Sequence, residues 1–179
     1  MASAFRRTWI EPCLIRCMIH KHPEPLRNCD YRGQYYYSLT WCCDQRKPLF
    51  LHADHVALVL QQFLRASHET EMAIIAYCFM PDHAHQLVKG RSSSADGRRY
   101  MKLAKQYSGF YFAKQFHQKL WQRYGHDRFL RKDHEPRAIV RYILENPVRQ
   151  GLAERVDAFP FTGSQIHTVQ ELMEWAYTY

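Results

Sequence analysis

The stretch Met72–Met80 (MAIIAYCFM) limits the fold more than any other part of this 179-residue chain. It is an almost unbroken apolar run of strand length, which reads as a central, buried strand. Pro81 and Asp82 supply turn chemistry, and His83 to Lys89 follows as a strand placed to pair antiparallel with the first. A buried hairpin in mid-chain needs further strands beside it and helices over it.

The flanking segments provide them. Gln34 to Cys43 is rich in aromatic and β-favouring residues and reads as the first strand. Asp54 to Ser67 carries Val56, Leu58, Val59, Leu60, Phe63 and Leu64 at helical spacing. After the loop Ser92–Asp96, a long helix is expected over about 96–118, and Asp127–Arg131 is a candidate fourth strand. Glu135 to Asn146 reads as a helix, with Pro136 suited to its first turn and Pro147 expected to stop it. Val169–Tyr177 fits a short closing helix. The order β-α-β-β-α-β, then helix, is that of an α+β, ferredoxin-like (split βαβ) antiparallel sheet with helices on one face and a further helix C-terminal to it. Residues 1–33 read as an extension, 34–155 as the domain and 156–179 as a C-terminal tail.

Composition narrows the partners. A hydrophobic fraction of 46%, with 10 Phe and 12 Tyr, fits a folded protein. No apolar run approaches the roughly twenty residues of a membrane span, and no signal-peptide core follows the N-terminus, so a cytoplasmic protein without a membrane partner is expected. The net charge of +8 is concentrated: residues 89–132 hold twelve Lys/Arg against Asp96 and Asp127. Among them are Arg98, Arg99, Lys102, Lys105, Lys114, Arg123, Arg128 and Arg131, interleaved with Tyr100, Tyr107, Tyr111, Phe112 and Trp121. Such a stretch suits a polyanion with bases that can stack, or else a solvated helix face over an aromatic core stripe. The six cysteines show no paired C-x-x-C spacing. Cys13, Cys17, His20 and Cys29 come nearest to a zinc set, but their spacing fits no regular finger.

The chemistry-bearing residues are few. His83 and His85, at i and i+2 of a strand, leave the same face and make a ready pair of nitrogen ligands. Asn146 offers a carbonyl oxygen as a third ligand for a hard cation, Mg²⁺ or Mn²⁺. Tyr142 lies four residues earlier on the same helical face and offers a phenol. Phenols ionise near pH 10, more easily than aliphatic alcohols, and leave more readily. A tyrosine therefore suits reversible phosphoryl transfer. Each residue also has a plainer role: a structural histidine pair, a rim tyrosine, a residue at a helix end.

Taken together, the segments Phe79-Met-Pro-Asp-His-Ala-His-Gln-Leu-Val88 and Arg141-Tyr-Ile-Leu-Glu-Asn-Pro-Val-Arg-Gln-Gly-Leu152 resemble the single-tyrosine HUH transposases. More narrowly they resemble the REP-associated tyrosine transposase branch, and Leu120-Trp-Gln-Arg-Tyr-Gly-His-Asp-Arg-Phe-Leu-Arg131 is similar to a further stretch of it. The resemblance spans about residues 33–155. It implies that His83, His85 and Asn146 bind a divalent cation and that Tyr142 is the nucleophile, on a C-terminal catalytic helix. It also implies cleavage of single-stranded DNA beside hairpin-forming repetitive extragenic palindromes through a 5′-phosphotyrosine, by a monomer rather than a dimer and with no nucleotide cofactor. The basic residues named above would then hold DNA phosphates, and Arg6, Arg7, Arg16 and Arg27 of the extension would contact bases beside the hairpin. Asp82 departs from the family, which usually has Asn there, and Gln86 stands where leucine is common. Two other classes share parts of this pattern: a nickase of the relaxase or replication-initiator type, and a non-catalytic nucleic-acid-binding module on the same fold. The RNP1-like run of a typical RNA-binding module is missing.

Overall fold

A computed structural model describes residues 31–123, 126–129 and 135–178. Its strands are β1 (Tyr36–Cys42), β2 (Met72–Met80), β3 (His83–Gly90), β4 (His126–Phe129) and the two-residue β5 (Thr162–Gly163). The helices are α1 (Ala53–Glu69), α2 (Gly97–Phe116), α3 (Pro136–Arg149) and α4 (Val169–Tyr177). Every neighbouring pair of strands is antiparallel, in the order β4-β1-β3-β2-β5. β3 lies between β1 and β2, so the β1-α1-β2 unit is split by the following strand, as the element order implies. No helix among the described residues is long and apolar enough to cross a membrane.

The alternation of side chains along each strand decides what covers which face. Tyr37, Leu39 and Trp41 of β1, Ile74 and Phe79 of β2, and Ala84 and Val88 of β3 share one core with Val56, Val59 and Phe63 of α1 and Tyr100, Ala104 and Phe112 of α2. Ala76, Cys78 and Met80 of β2 and Leu87 of β3 share a second core with Val140, Ile143 and Leu144 of α3 and Leu172 and Ala176 of α4. Thus α1 and α2 form one layer, and α3 with α4 lies on the opposite face. A β-bulge between Ile74 and Ala76 lets β2 keep its pairing with β3 while its face alternation shifts by one residue. Close packing leaves no room for a Cβ at position 97: one built on Gly97 would stand 2.5 Å from the Tyr37 ring.

The helix read as ending at Pro147 instead runs to Arg149. Pro147 forfeits a single backbone bond in the last turn, and its ring is buried on the side of the helix that carries Val140, Ile143 and Leu144. The strand expected at Asp127–Arg131 is β4, His126–Phe129, and Arg131 lies outside the described residues. The segment after 155 adds to the same body: β5 pairs with β2, and α4 packs on α3. Of the extension 1–33, residues 1–30, with Cys13, Cys17, His20, Cys29 and Arg6, Arg7, Arg16 and Arg27, lie outside the described residues.

Candidate active site

The site begins with strand register. On β3, His83 and His85 face the α3 side of the sheet. Cys42 and Thr40 of β1 pair with them on one flank, and Met80 and Cys78 of β2 on the other. The two imidazoles meet at right angles, with their Nε2 atoms 3.0 Å apart. Their other nitrogens are both engaged. His83 Nδ1 lies 2.6 Å from Asp82 Oδ1, and His85 Nδ1 lies 3.1 Å from Thr40 Oγ1.

A carboxylate only accepts, so His83 Nδ1–H donates to Asp82 and turns Nε2 toward His85. His85 Nδ1 and the Thr40 hydroxyl share a hydrogen bond, and with the His85 proton on Nδ1 its Nε2 is left free to ligate. Burial, followed by the nearby charges of His83 and Arg46, pushes the His85 pKa down to about 3 from its ordinary 6.5. The ring is neutral across the physiological range, the state a ligand requires. Burial raises the Asp82 carboxyl, but its hydrogen bond to His83 and the charges of His83 and Arg46 outweigh this, and it falls below the usual range.

The pair fits a cation. Two ligands held about 2.1 Å from one ion at a right angle stand about 3.0 Å apart, which is the observed Nε2 separation. Anchored Nδ1 atoms are also how metal-binding histidines are commonly oriented. Among the described residues no group of three His, Cys, Asp or Glu assembles.

α3 brings the phenol. Val140, Ile143 and Leu144 bury one side of this helix and hold it on β2 and β3. Tyr142, half-buried, sets its ring 5.6 Å from that of His85 at an interplanar angle of 76°. The guanidinium of Arg149 stands 5.6 Å from the Tyr142 ring centroid. One turn on, Asn146 is buried and its Nδ2 donates to the Tyr142 carbonyl at 2.9 Å. α4 fastens α3 from outside: Arg141 donates to the Ala176 carbonyl, and the Tyr177 hydroxyl donates to Glu145.

The basic residues stand elsewhere. Arg98, Arg99, Lys102 and Lys114 are exposed on α2, in the helical layer opposite the histidines. Lys105 donates to the Arg123 carbonyl at 3.1 Å, and β4 pairs Arg128 with Ser38. The structure therefore joins His83, His85 and Tyr142 in one cluster and keeps the α2 cations apart from it. Thr40 and Arg46 escaped the sequence reading. The position of Thr40 beside His85 follows from register, and that of Arg46 from a loop conformation that no spacing rule encodes.

Comparison with known proteins agrees with this picture. The sequence model of the IS200-like transposases matches residues 31–146. No curated protein matches the sequence. Among solved structures, a REP-associated tyrosine transposase bound to a REP hairpin is similar over 75% of this chain and 79% of its own, with a TM-score of 0.62 and 18% identity. A proposed transposase from Deinococcus radiodurans R1 is more distant, at a TM-score of 0.48 and 19% identity over 69% of this chain and 96% of its own.

Proposed function

Because the chain belongs to the IS200-like transposase family, we propose that it is a metal-dependent endonuclease and strand transferase of single-stranded DNA, working through Tyr142 at hairpin-forming repetitive extragenic palindromes. The observation that carries this reading is the Tyr142 ring lying against His85, whose Nε2 meets that of His83. The fold shared with a REP-associated transposase that was solved on a REP hairpin favours the same branch and the same class of target.

His83 and His85, with Asn146 Oδ1 as the third ligand, would hold Mg²⁺ or Mn²⁺. Such a cation, when bound, neutralises and orients a non-bridging oxygen of the scissile phosphate. The remaining steps belong to the chain. The Tyr142 phenol oxygen attacks phosphorus, the Oη–P bond forms and the P–O3′ bond breaks. The phenol proton ends on the departing 3′ oxygen, giving a 5′-phosphotyrosine and a free 3′-hydroxyl. Attack by a second 3′-hydroxyl reverses these changes and joins two strands, so no nucleotide cofactor enters. The α4 contacts on α3 keep the nucleophile on a fixed helix, which supports a monomer that carries its whole site.

The test uses the full chain, Mn²⁺ and single-stranded oligonucleotides containing palindromic repeats of the source genome. Wild type is expected to give a denaturant-resistant protein–DNA adduct, and Tyr142→Phe none while still shifting the hairpin on a native gel. An adduct formed by Tyr142→Phe overturns the assignment. Hairpin binding by wild type with no adduct favours a non-catalytic module.

A further inference from the structure

We propose that Asp82 and Arg46 are positioning residues for the cation site: together they fix His83 in the tautomer and orientation that turns Nε2 toward His85. This rests on the reading of His83 and His85 as ligands.

Both carboxylate oxygens of Asp82 are committed. Oδ1 accepts from His83 Nδ1 at 2.6 Å, and Oδ2 accepts from Arg46 Nε at 2.8 Å. Arg46 is fixed in turn, since its Nη1 donates to Cys42 Sγ at 3.0 Å. The backbone around the pair is equally constrained. Cys43 N–H donates to the Asp82 carbonyl and Phe50 N–H to the Pro81 carbonyl, both at 2.9 Å, so the loop after β1 grips the β2–β3 turn from two sides. Within that loop Gln45 and Arg46 take φ values of 54° and 56°, a left-handed conformation that is costly for residues other than glycine. Two successive strained residues whose outcome is one guanidinium against one carboxylate mark a placement that the surrounding contacts enforce.

The chemical consequence concerns the histidine. A neutral imidazole carries its proton on either nitrogen, and only the Nδ1–H form presents a lone pair at Nε2. A carboxylate at Nδ1 selects that form and makes the ligand more basic. An asparagine here would also accept from Nδ1–H, but would lack the charge and could not pair ionically with Arg46.

Two measurements on the full chain without DNA test the proposal. Two-bond ¹H–¹⁵N correlation spectra in EDTA report the His83 tautomer: wild type and Arg46→Lys are expected to show Nδ1–H, and Asp82→Ala a mixture containing Nε2–H. Mn²⁺ binding followed by electron paramagnetic resonance is expected to weaken about 10–100-fold in Asp82→Ala. Asp82→Asn and Arg46→Gln should lose less, in the same direction. Unchanged tautomer and affinity in Asp82→Ala overturn the proposal. So does Asp82→Asn falling as far as His83→Ala, because that would make Asp82 a direct ligand. If Asp82→Ala melts early, Asp82→Asn and Arg46→Gln carry both measurements. Failure of wild type to bind Mn²⁺ would remove the ligand reading, while the tautomer spectra would still decide whether Asp82 orients His83.

Discussion

At the scale of single residues, the burial of His85 has a measurable cost. Its folded-state pKa of about 3 lies well below the ordinary 6.5. Between these values the unfolded chain takes up a proton that the folded chain refuses, so stability is intact above pH 6.5 and falls as the pH drops below it. The slope contributed by one such group approaches about 1.4 kcal/mol per pH unit. Urea denaturation in EDTA at pH 7, 6 and 5 should show this loss, and His85→Asn should flatten the profile. Equal slopes for the two proteins would refute it. Residue chemistry was largely legible in the sequence. Strand parity alone places His83 and His85 on one face, and helical spacing places Tyr142 beside Asn146. The partners that tune them were not: Thr40 is 45 positions from His85 in the chain and reaches it through β1–β3 register. Gln86 shows the same blindness from the other side of the strand. It looks misplaced in a buried position until Trp41 Nε1–H and the Tyr100 hydroxyl are both seen to donate to its Oε1 at 3.0 Å.

At the scale of elements, Tyr142 is only as fixed as the helix that carries it, and α3 is held partly by α4. The start of α4 is a capping box: Thr168 accepts from the Glu171 N–H, and the Glu171 carboxylate accepts from the Thr168 N–H. The short length of α4, nine residues, makes such a cap matter, because so brief a helix has little intrinsic stability. Thr168→Ala should cost about 1 kcal/mol, lowering the thermal midpoint by about 2–4 °C for a domain of this size. A melting curve superimposed on that of wild type would show that α4 does not depend on its cap. The boundaries of α4 could be read from its apolar spacing, as could those of β2. The end of α3 could not. A proline usually announces a stop, and only the buried apolar side shared by Val140, Ile143, Leu144 and Pro147 explains why the helix continues.

At the scale of the whole molecule, the sheet separates the α2 cations from the histidine–tyrosine cluster. The exposed cations of α2 lie in one helical layer, and the histidine–tyrosine cluster lies beneath the other. Binding of single-stranded DNA should show the salt dependence of phosphate contacts, with each lost contact lowering the logarithmic slope by about 0.7. Replacing Lys102 and Lys114 together should therefore reduce that slope by about 1.4 if both hold phosphates. Fluorescence anisotropy across a salt series measures it, and an unchanged slope would assign α2 to solvent alone. The element order foretold the antiparallel sheet and its strand sequence. It could not foretell which layer each helix joins, since that depends on side-chain parity across a β-bulge as well as on connectivity.

This two-sided arrangement carries a requirement for length. If Tyr142 cuts and the α2 cations hold phosphates, as proposed, a fragment just long enough to reach the phenol would touch none of the lysines behind the sheet and would be held weakly. Only a strand long enough to pass around an edge of the sheet would collect both kinds of contact at once. Substrate choice in such a protein begins with reach, before any base is read.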